Sequence, residues 1–321
     1  MRELVVVRAG LFSTVQDRGR FGSRSQGVAQ CGAMDDVAYA VANRAVGNPE
    51  NAPAIEVTLG GAKFRFETDA RFALCGGDAD ADIDGERVPA WSSCVARAGQ
   101  TLTLPTSANR MRTVLCVDGG IDVPKILGSR STDTTAGFGG YEGRPLRDGD
   151  RIAIGEALPK RFGDTRFRLK PPQWDFDARA VGVLEGSEYC DFSAEARAIF
   201  WNTEWTISSQ SNRMGYRLDG PAVVCRQSER PMLSHAVFPG VVQVPPSGRP
   251  IVLLRDAQTT GGYPKIGVVV GAHVRAVSQL RPGATLRFRP FSLADAQYAE
   301  RRLSEYVDSM YRAIESRPIQ T

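Results

Sequence analysis

The stretch 251–270, IVLLRDAQTTGGYPKIGVVV, decides how the chain is read. Two apolar runs, 251–254 and 266–270, enclose a polar turn, and each has the length and composition of a buried strand. Between them stand Asp256, Gln258, Thr259, Thr260, Gly261, Gly262, Tyr263, Pro264 and Lys265. Gly261–Gly262 permits backbone angles closed to other residues, or a close approach of ligand to backbone. Pro264 stiffens the exit and keeps Tyr263 from helical angles. Lys265 is expected on the lip of the second strand. A hairpin turn with a solvated lysine accounts for the pattern. A ligand-binding loop accounts better for so many specific polar groups.

Around this stretch lie 321 residues, enough for two domains with separate cores. With 42% hydrophobic and 24% charged residues the chain reads as folded and soluble. Its formal charge of +4 is small and its basic residues are scattered, so nucleic-acid binding is not expected. The 33 glycines and 19 prolines imply many turns and short strands. No run is long enough for a membrane span, and residues 1–10 lack the apolar run of a signal peptide. Six cysteines, at 31, 75, 94, 116, 190 and 225, show no metal-site spacing, and only His235 and His273 could add imidazole. No metal is expected. Cys75 and Cys116 fall in strand-like runs and read as core residues. Reduced thiols and a cytoplasmic location are the natural expectation.

In chain order, 4–7 reads as a strand and 10–32 as a long polar loop carrying Gln16, Asp17, Arg18, Arg20 and Arg24. Asp35 or Asp36 can cap a helix over 37–46, with Val37, Ala38, Val41, Ala42 and Ala45 inward. Strands are expected at 54–59, 63–67, 70–74, 100–104, 113–117 and 151–154, with a turn at Asp84–Gly85. Gly128-Ser129-Arg130-Ser131 could clasp an anion, or could be a loop tied by its own side chains. Residues 159–172, with three prolines, read as a linker. A strand at 180–184, a helix at 193–200 and a strand at 203–208 follow. Ser292 and Asp295 have capping-box spacing ahead of a helix over 292–316. Its stripe is Ala296, Ala299, Leu303, Val307, Met310 and Ile314, and Pro318 stops it.

The halves echo each other. R-x-G-x-R at 20–24 recurs at 213–217, and Ile55-Glu56-Val57 resembles Val242-Gln243-Val244. Cys75-Gly76-Gly77 falls at the place of Thr260-Gly261-Gly262, and 98–102 matches 282–286. A common order and nearly constant offset indicate a duplicated β domain. A site at the junction of two such domains would take the arginine-bearing loops 20–24 and 213–217 as its walls.

Five motifs make the resemblance specific: TVQDRGRFG (14–22), GAMDDVAYAVAN (32–43), GGIDVPKILGSRST (119–132), SNRMGYRLDGP (211–221) and PIVLLRDAQTTGGYPKIG (250–267). In this order they resemble the C subunits of bacterial ATP-dependent 5-oxoprolinase, a family also known as allophanate hydrolase subunit 2 or biotin-dependent carboxyltransferase-like proteins. The resemblance implies a mainly β chain: tandem cyclophilin-like β-barrel domains with short helices and a C-terminal helix. The corresponding divisions are 1–158 and 180–291 for the domains, 159–179 for the linker and 292–318 for the helix. It implies a component that opens 5-oxo-L-proline to L-glutamate together with A and B subunits, and that is inactive alone. ATP would act in the assembled complex, bound wholly or partly on partners. Related domains in urea carboxylase move a carboxyl group from carboxybiotin to urea, so transfer to urea or another small amide is the alternative. A further relative antagonises a sensor-kinase inhibitor, so a non-enzymatic regulator is the other alternative. The chain lacks a Met-Lys-Met biotin-attachment motif and a GxxxxGK[ST] loop, so it is one piece of a larger machine. It departs from the family pattern at Gln30-Cys31, Gly186-Ser187 and Ser234-His235.

Under this resemblance Lys265, Gln258, Thr259 and Arg213 are the expected catalytic residues. Arg24 or Arg213 would grip the substrate carboxylate bidentately. Lys265, Gln258, Thr259 and the amides of Gly261 and Gly262 would meet a lactam or ureido oxygen that gains charge. Met34, Asn212, Tyr216, Thr260 and Tyr263 complete the expected pocket. Asp256 would orient Lys265 or an arginine, or cap the turn.

Overall fold

The computed structural model describes residues 2–156, 165–172, 180–225 and 232–316. The chain divides into two compact units, neither continuous in sequence. One comprises Met1–Phe21, Cys31–Pro172 and Glu305–Thr321; the other Gly22–Gln30 and Gln173–Ser304.

The first unit is built on two six-stranded antiparallel sheets. One runs in the order Arg151–Ala153, Glu3–Arg8, Lys63–Phe66, Thr101–Thr103, Ala81–Ile83, Glu86–Val88. The other runs Phe167–Arg168, Ser92–Ala96, Ala70–Cys75, Arg112–Val117, Ala54–Thr58, Phe12–Gln16. Leu4, Val6, Phe64 and Phe66 from one sheet share a core with Ile55, Val57, Phe72 and Leu115 from the other. The helix Asp36–Val46, capped by the Asp35 carboxylate on the Ala38 amide at 2.9 Å, packs on Arg112–Val117 and Ala70–Cys75. That second sheet is therefore covered on both faces, and Ala70–Cys75 is buried at every position.

Residues 10–32 are not all loop, because Phe12–Gln16 forms a strand paired with Ala54–Thr58. Its Ser13, Thr14 and Gln16 are buried and hydrogen-bonded inside the unit, which hides the alternation that marks a strand. The short strands Ala81–Ile83 and Glu86–Val88 flank Asp84–Gly85, both at positive φ, a two-residue hairpin turn of the kind the sequence marks. The hydroxyls of 129 and 131 and the amides of 129–131 are spent internally. Ser129 Oγ and Ser131 Oγ donate to Asp17 Oδ1 at 2.7 and 2.6 Å, and the Arg130 amide donates to Asp17 Oδ2 at 2.6 Å. The anion in this clasp is the chain's own carboxylate. Of the expected linker, 159–164 and 173–179 lie outside the described residues, while Phe167–Arg168 joins the second sheet.

The second unit closes a seven-stranded barrel: Ala180–Glu185, Lys265–Val269, Val241–Gln243, Ile251–Leu253, Gly215–Asp219, Trp205–Ile207 and Thr285–Pro290. The parallel pairing of Ala180–Glu185 with Thr285–Pro290 completes the ring. A two-stranded ribbon, His235–Ala236 with Thr260–Gly261, stands apart from the barrel strands. The helix Ala194–Asn202 lays Phe200 on Phe288, ring centroids 4.6 Å apart. The helix Gly271–Ser278 has no sequence signal, since it opens on glycine with no capping side chain. Tertiary contact holds it, with His273 Nδ1 accepting the Gly182 amide at 2.8 Å. The helix Leu293–Glu315 has the expected reciprocal cap. The Ser292 amide donates to Asp295 Oδ2 at 2.9 Å, and the Asp295 amide to Ser292 Oγ at 3.2 Å. Ala296, Met310 and Ile314 are its buried positions, and Pro318 lies outside the described residues. The chain is thus mainly β, with short helices, a closed barrel and a C-terminal helix.

Candidate functional site

Lys265 opens the strand Lys265–Val269 and is only 6% exposed, so it is not the solvated lysine the sequence suggests. A bulge explains this. Val242 pairs with Gly267 but Gln243 with Lys265, which inserts Ile266 as an extra residue and turns both Lys265 and Ile266 inward. A buried ammonium needs a partner, and the turn after Ala180–Glu185 supplies Glu188. A Cβ on Gly186 would stand 2.2 Å from the Lys265 carbonyl oxygen, so only glycine lets this turn come so near. Glu188 Oε2 then accepts from Lys265 Nζ at 2.8 Å and from the Lys265 amide at 2.9 Å. Burial works against ionisation of Glu188, but these bonds outweigh it and hold its carboxyl below its ordinary range.

The ribbon brings more groups to the same place. His235 pairs with Gly261, and its Nε2 meets Lys265 Nζ. Gln243, 2% exposed, accepts from Gln258 Nε2 at 3.4 Å. Its own Nε2 is buried and has no hydrogen-bond partner among the described residues. A Cβ on Gly261 would lie 2.5 Å from that Nε2, so glycine here makes room for the amide. Neither Gly261 nor Gly262 adopts positive φ: close approach, not backbone freedom, is what this position demands. Arg24 reaches the end of the ribbon, where Nη2 donates to the Val237 carbonyl, while Nη1 is buried without a partner among the described residues. Burial lowers its guanidinium from the ordinary value. Val237 in turn donates its amide to the Thr259 carbonyl at 3.0 Å, which ties Arg24 to the TTGG turn.

Other expected residues hold structure. Arg213 forks onto Asp256, Nε to Oδ2 at 2.8 Å and Nη2 to Oδ1 at 2.9 Å, with both side chains 6% exposed. Asp256 thus orients an arginine, not Lys265. Tyr216 is fully buried and donates to the Ser278 or Leu280 carbonyl, each 3.1 Å away. Asn212 Oδ1 accepts the Met214 amide and shapes its loop. Thr259 is nearly buried, Thr260 belongs to the ribbon, and Tyr263 is 44% exposed. Met34 is buried in the first unit, its amide bonded to Glu56 Oε2 at 2.7 Å. Arg20 lies inside the first unit, where Nε and Nη2 donate to the Ile126 and Ser131 carbonyls and Nη1 is buried without a partner among the described residues. Among the described residues no cluster of three metal-ligating side chains occurs. No helix among them is long and apolar enough to cross a membrane.

Two members of the site escape sequence reasoning. Gln243 shows only as a polar interruption in a valine strand, and Glu188 sits in a turn with no distinguishing pattern. Together Lys265, Gln243 and Arg24 offer one cation held by a carboxylate and two buried donors still able to donate. Such a set suits a ligand bearing a carbonyl oxygen and an anionic group.

The model of the carboxyltransferase domain, subdomain A and B, matches residues 26–290. The 5-oxoprolinase C subunit of Escherichia coli is 45% identical over 307 residues, covering 96% of this chain and 97% of that protein. The urea amidolyase of Lachancea kluyveri is 31% identical, but this chain spans only 18% of its length. Among solved structures, the Kluyveromyces lactis urea carboxylase superposes with a TM-score of 0.88 at 28% identity, over 96% of this chain and 29% of that one. Barrel, bulge and TTGG turn thus sit in a chain matched almost end to end by a known protein: it belongs to the carboxyltransferase-domain family, subdomains A and B, together with the 5-oxoprolinase C subunits.

Proposed function

We propose that this chain is the C subunit of a cytoplasmic ATP-dependent 5-oxoprolinase, acting with A and B subunits to open 5-oxo-L-proline to L-glutamate. One observation carries the reading: the likeness to a 5-oxoprolinase C subunit runs over 97% of that protein, whereas the urea amidolyase likeness uses 18% of its length. The side chains support it. Arg24 Nη1 is a charged donor for the substrate carboxylate. Gln243 Nε2 and the Lys265 ammonium are donors for the lactam carbonyl oxygen, which gathers negative charge as the amide is attacked. Glu188 holds and aims the Lys265 ammonium. ATP supplies the driving force in the assembled complex, its site lying wholly or partly on the partners. The test is glutamate release from 5-oxoproline by the chain with its A and B homologues. ATP-dependent release only when all three are present is expected. Full turnover by this chain alone, or none by the three together, defeats the proposal.

The family match and the urea carboxylase likeness favour a second reading, carboxyl transfer from carboxybiotin to a small amide. The same donors would then meet the ureido oxygen of biotin. Carboxybiotin-dependent carboxylation of urea, without glutamate formation, would select that reading.

A further inference from the structure

The His235 imidazole is engaged at both nitrogens. Nδ1 lies 2.9 Å from the Leu233 carbonyl oxygen, which can only accept, so Nδ1 carries the ring proton. Nε2 is left with its lone pair and meets the Lys265 ammonium, which can only donate. Glu188 spans the pair, with Oε2 2.8 Å from Lys265 Nζ and Oε1 3.6 Å from His235 Nε2. The ladder with Gly261 holds the backbone beneath the ring, and the side chain is 41% exposed, open to solvent protons.

We propose that His235 is a positioning residue that ties the aim of Lys265 to pH. The neutral ring accepts from Lys265 and, with Glu188, fixes the ammonium from two sides. A ring that has taken one solvent proton at Nε2 can no longer accept. It repels Lys265 and turns to Glu188, trading one hydrogen bond for another. Among the described residues the charged groups against the ring are Lys265 and Glu188, while Arg24 reaches the same ribbon two residues on, at Val237. An imidazole ordinarily changes charge near pH ~6.5, whereas a carboxyl group ordinarily does so near pH ~4. The inference rests on the reading of Lys265 as the cation of the site, and adds what holds it and when.

The chain has two histidines, so ring-nitrogen NMR of the full-length protein gives two sets of signals, and His235→Asn assigns them. At high pH the expected tautomer carries its proton on Nδ1. In Lys265→Met the titration midpoint of His235 rises by about one pH unit or more, since Nε2 becomes free to protonate toward Glu188. In Glu188→Gln it falls. A proton on Nε2 at high pH, or a midpoint unmoved in both variants, overturns the inference. These measurements need no turnover, so they stand apart from the proposed reaction. In the complex with A and B, the acid limb of kcat/KM moves down by more than about one pH unit in His235→Glu, relative to that variant's own plateau. An unmoved limb argues against the assignment. A complex with no turnover defeats the 5-oxoprolinase reading, and the NMR titration still decides the role of His235.

Discussion

Replacing Lys265 with Met separates charge from packing at the centre of the site. The methionine stem fills most of the lysine volume, so the main loss is the ammonium. Because Lys265 is 6% exposed and Glu188 has a side-chain exposure of 15%, the change strands a largely buried carboxylate. Breaking a buried ion pair costs about 3–5 kcal/mol when one charge is left alone. Here Glu188 keeps the main-chain amide of residue 265 at 2.9 Å and some contact with water, and a protonated His235 can answer it from 3.6 Å, so a loss of about 2–4 kcal/mol is expected at pH values where the His235 ring is neutral, and less below. In melting temperature that is roughly 5–15 °C for a unit of this size. The linkage has a definite sign. Glu188 has its folded carboxyl depressed, so its contribution is present above the unfolded value and lost as pH falls through the folded one. In Lys265→Met that acid loss shrinks. The double variant Lys265→Met with Glu188→Gln should regain most of the stability, because no uncompensated charge remains, but not the turnover. Transition-state stabilisation by one such cation is worth about 2.7–4 kcal/mol, or about 10²–10³ in rate. The assays are urea denaturation of the full chain and glutamate release by the complex with A and B. A single variant that melts with the wild type would refute the buried pair. A double variant no more stable than the single one would refute the stranded charge as the cause.

Arg24→Ala removes the charged donor assigned to the substrate carboxylate. KM for 5-oxoproline in the complex should rise about 10–150-fold, the equivalent of about 1.5–3 kcal/mol, and an unchanged KM would release Arg24 from that role. Gly261→Ala puts a methyl 2.5 Å from Gln243 Nε2 and should cost about 1–3 kcal/mol by denaturation, relieved when Gln243→Ala is added. A double variant as unstable as Gly261→Ala alone would contradict that clash. Burial holds His273 down to about 4, neutral in the fold while the unfolded chain protonates near pH ~6.5. Stability should therefore fall as pH drops from about 6.5 to about 4, and this slope should flatten in His273→Asn, as read from melting temperature against pH.

Much of the architecture was legible in the residues themselves. The helix Asp36–Val46 declared itself through its cap and apolar spacing, and the helix Leu293–Glu315 through Ser292, Asp295 and its stripe, because these are local interactions between near neighbours. The polar turn between the apolar runs at 251–254 and 266–270 marked the strand end where Lys265, Gly261 and Gln258 come together with Gln243 and His235, the candidate site. The motifs carried the family. Other features depend on partners distant in sequence. Phe12–Gln16 hid as a strand because its buried polar side chains are satisfied by contacts with residues such as Thr132. Gly271–Ser278 is held by a bond from a residue some ninety positions earlier. The division of labour among the arginines was decided the same way. Arg24 and Arg213 are chemically alike in the sequence, yet Asp256 occupies the fork of one while the other keeps a free donor. The state of Lys265 turned on a bulge and on a turn that only glycine at 186 allows to come near. Sequence determines which residues can form a strand, a cap or a turn, since those energies are local. Whether a charge is solvated or buried, and which carboxylate answers it, is settled only when the barrel closes and distant residues become neighbours.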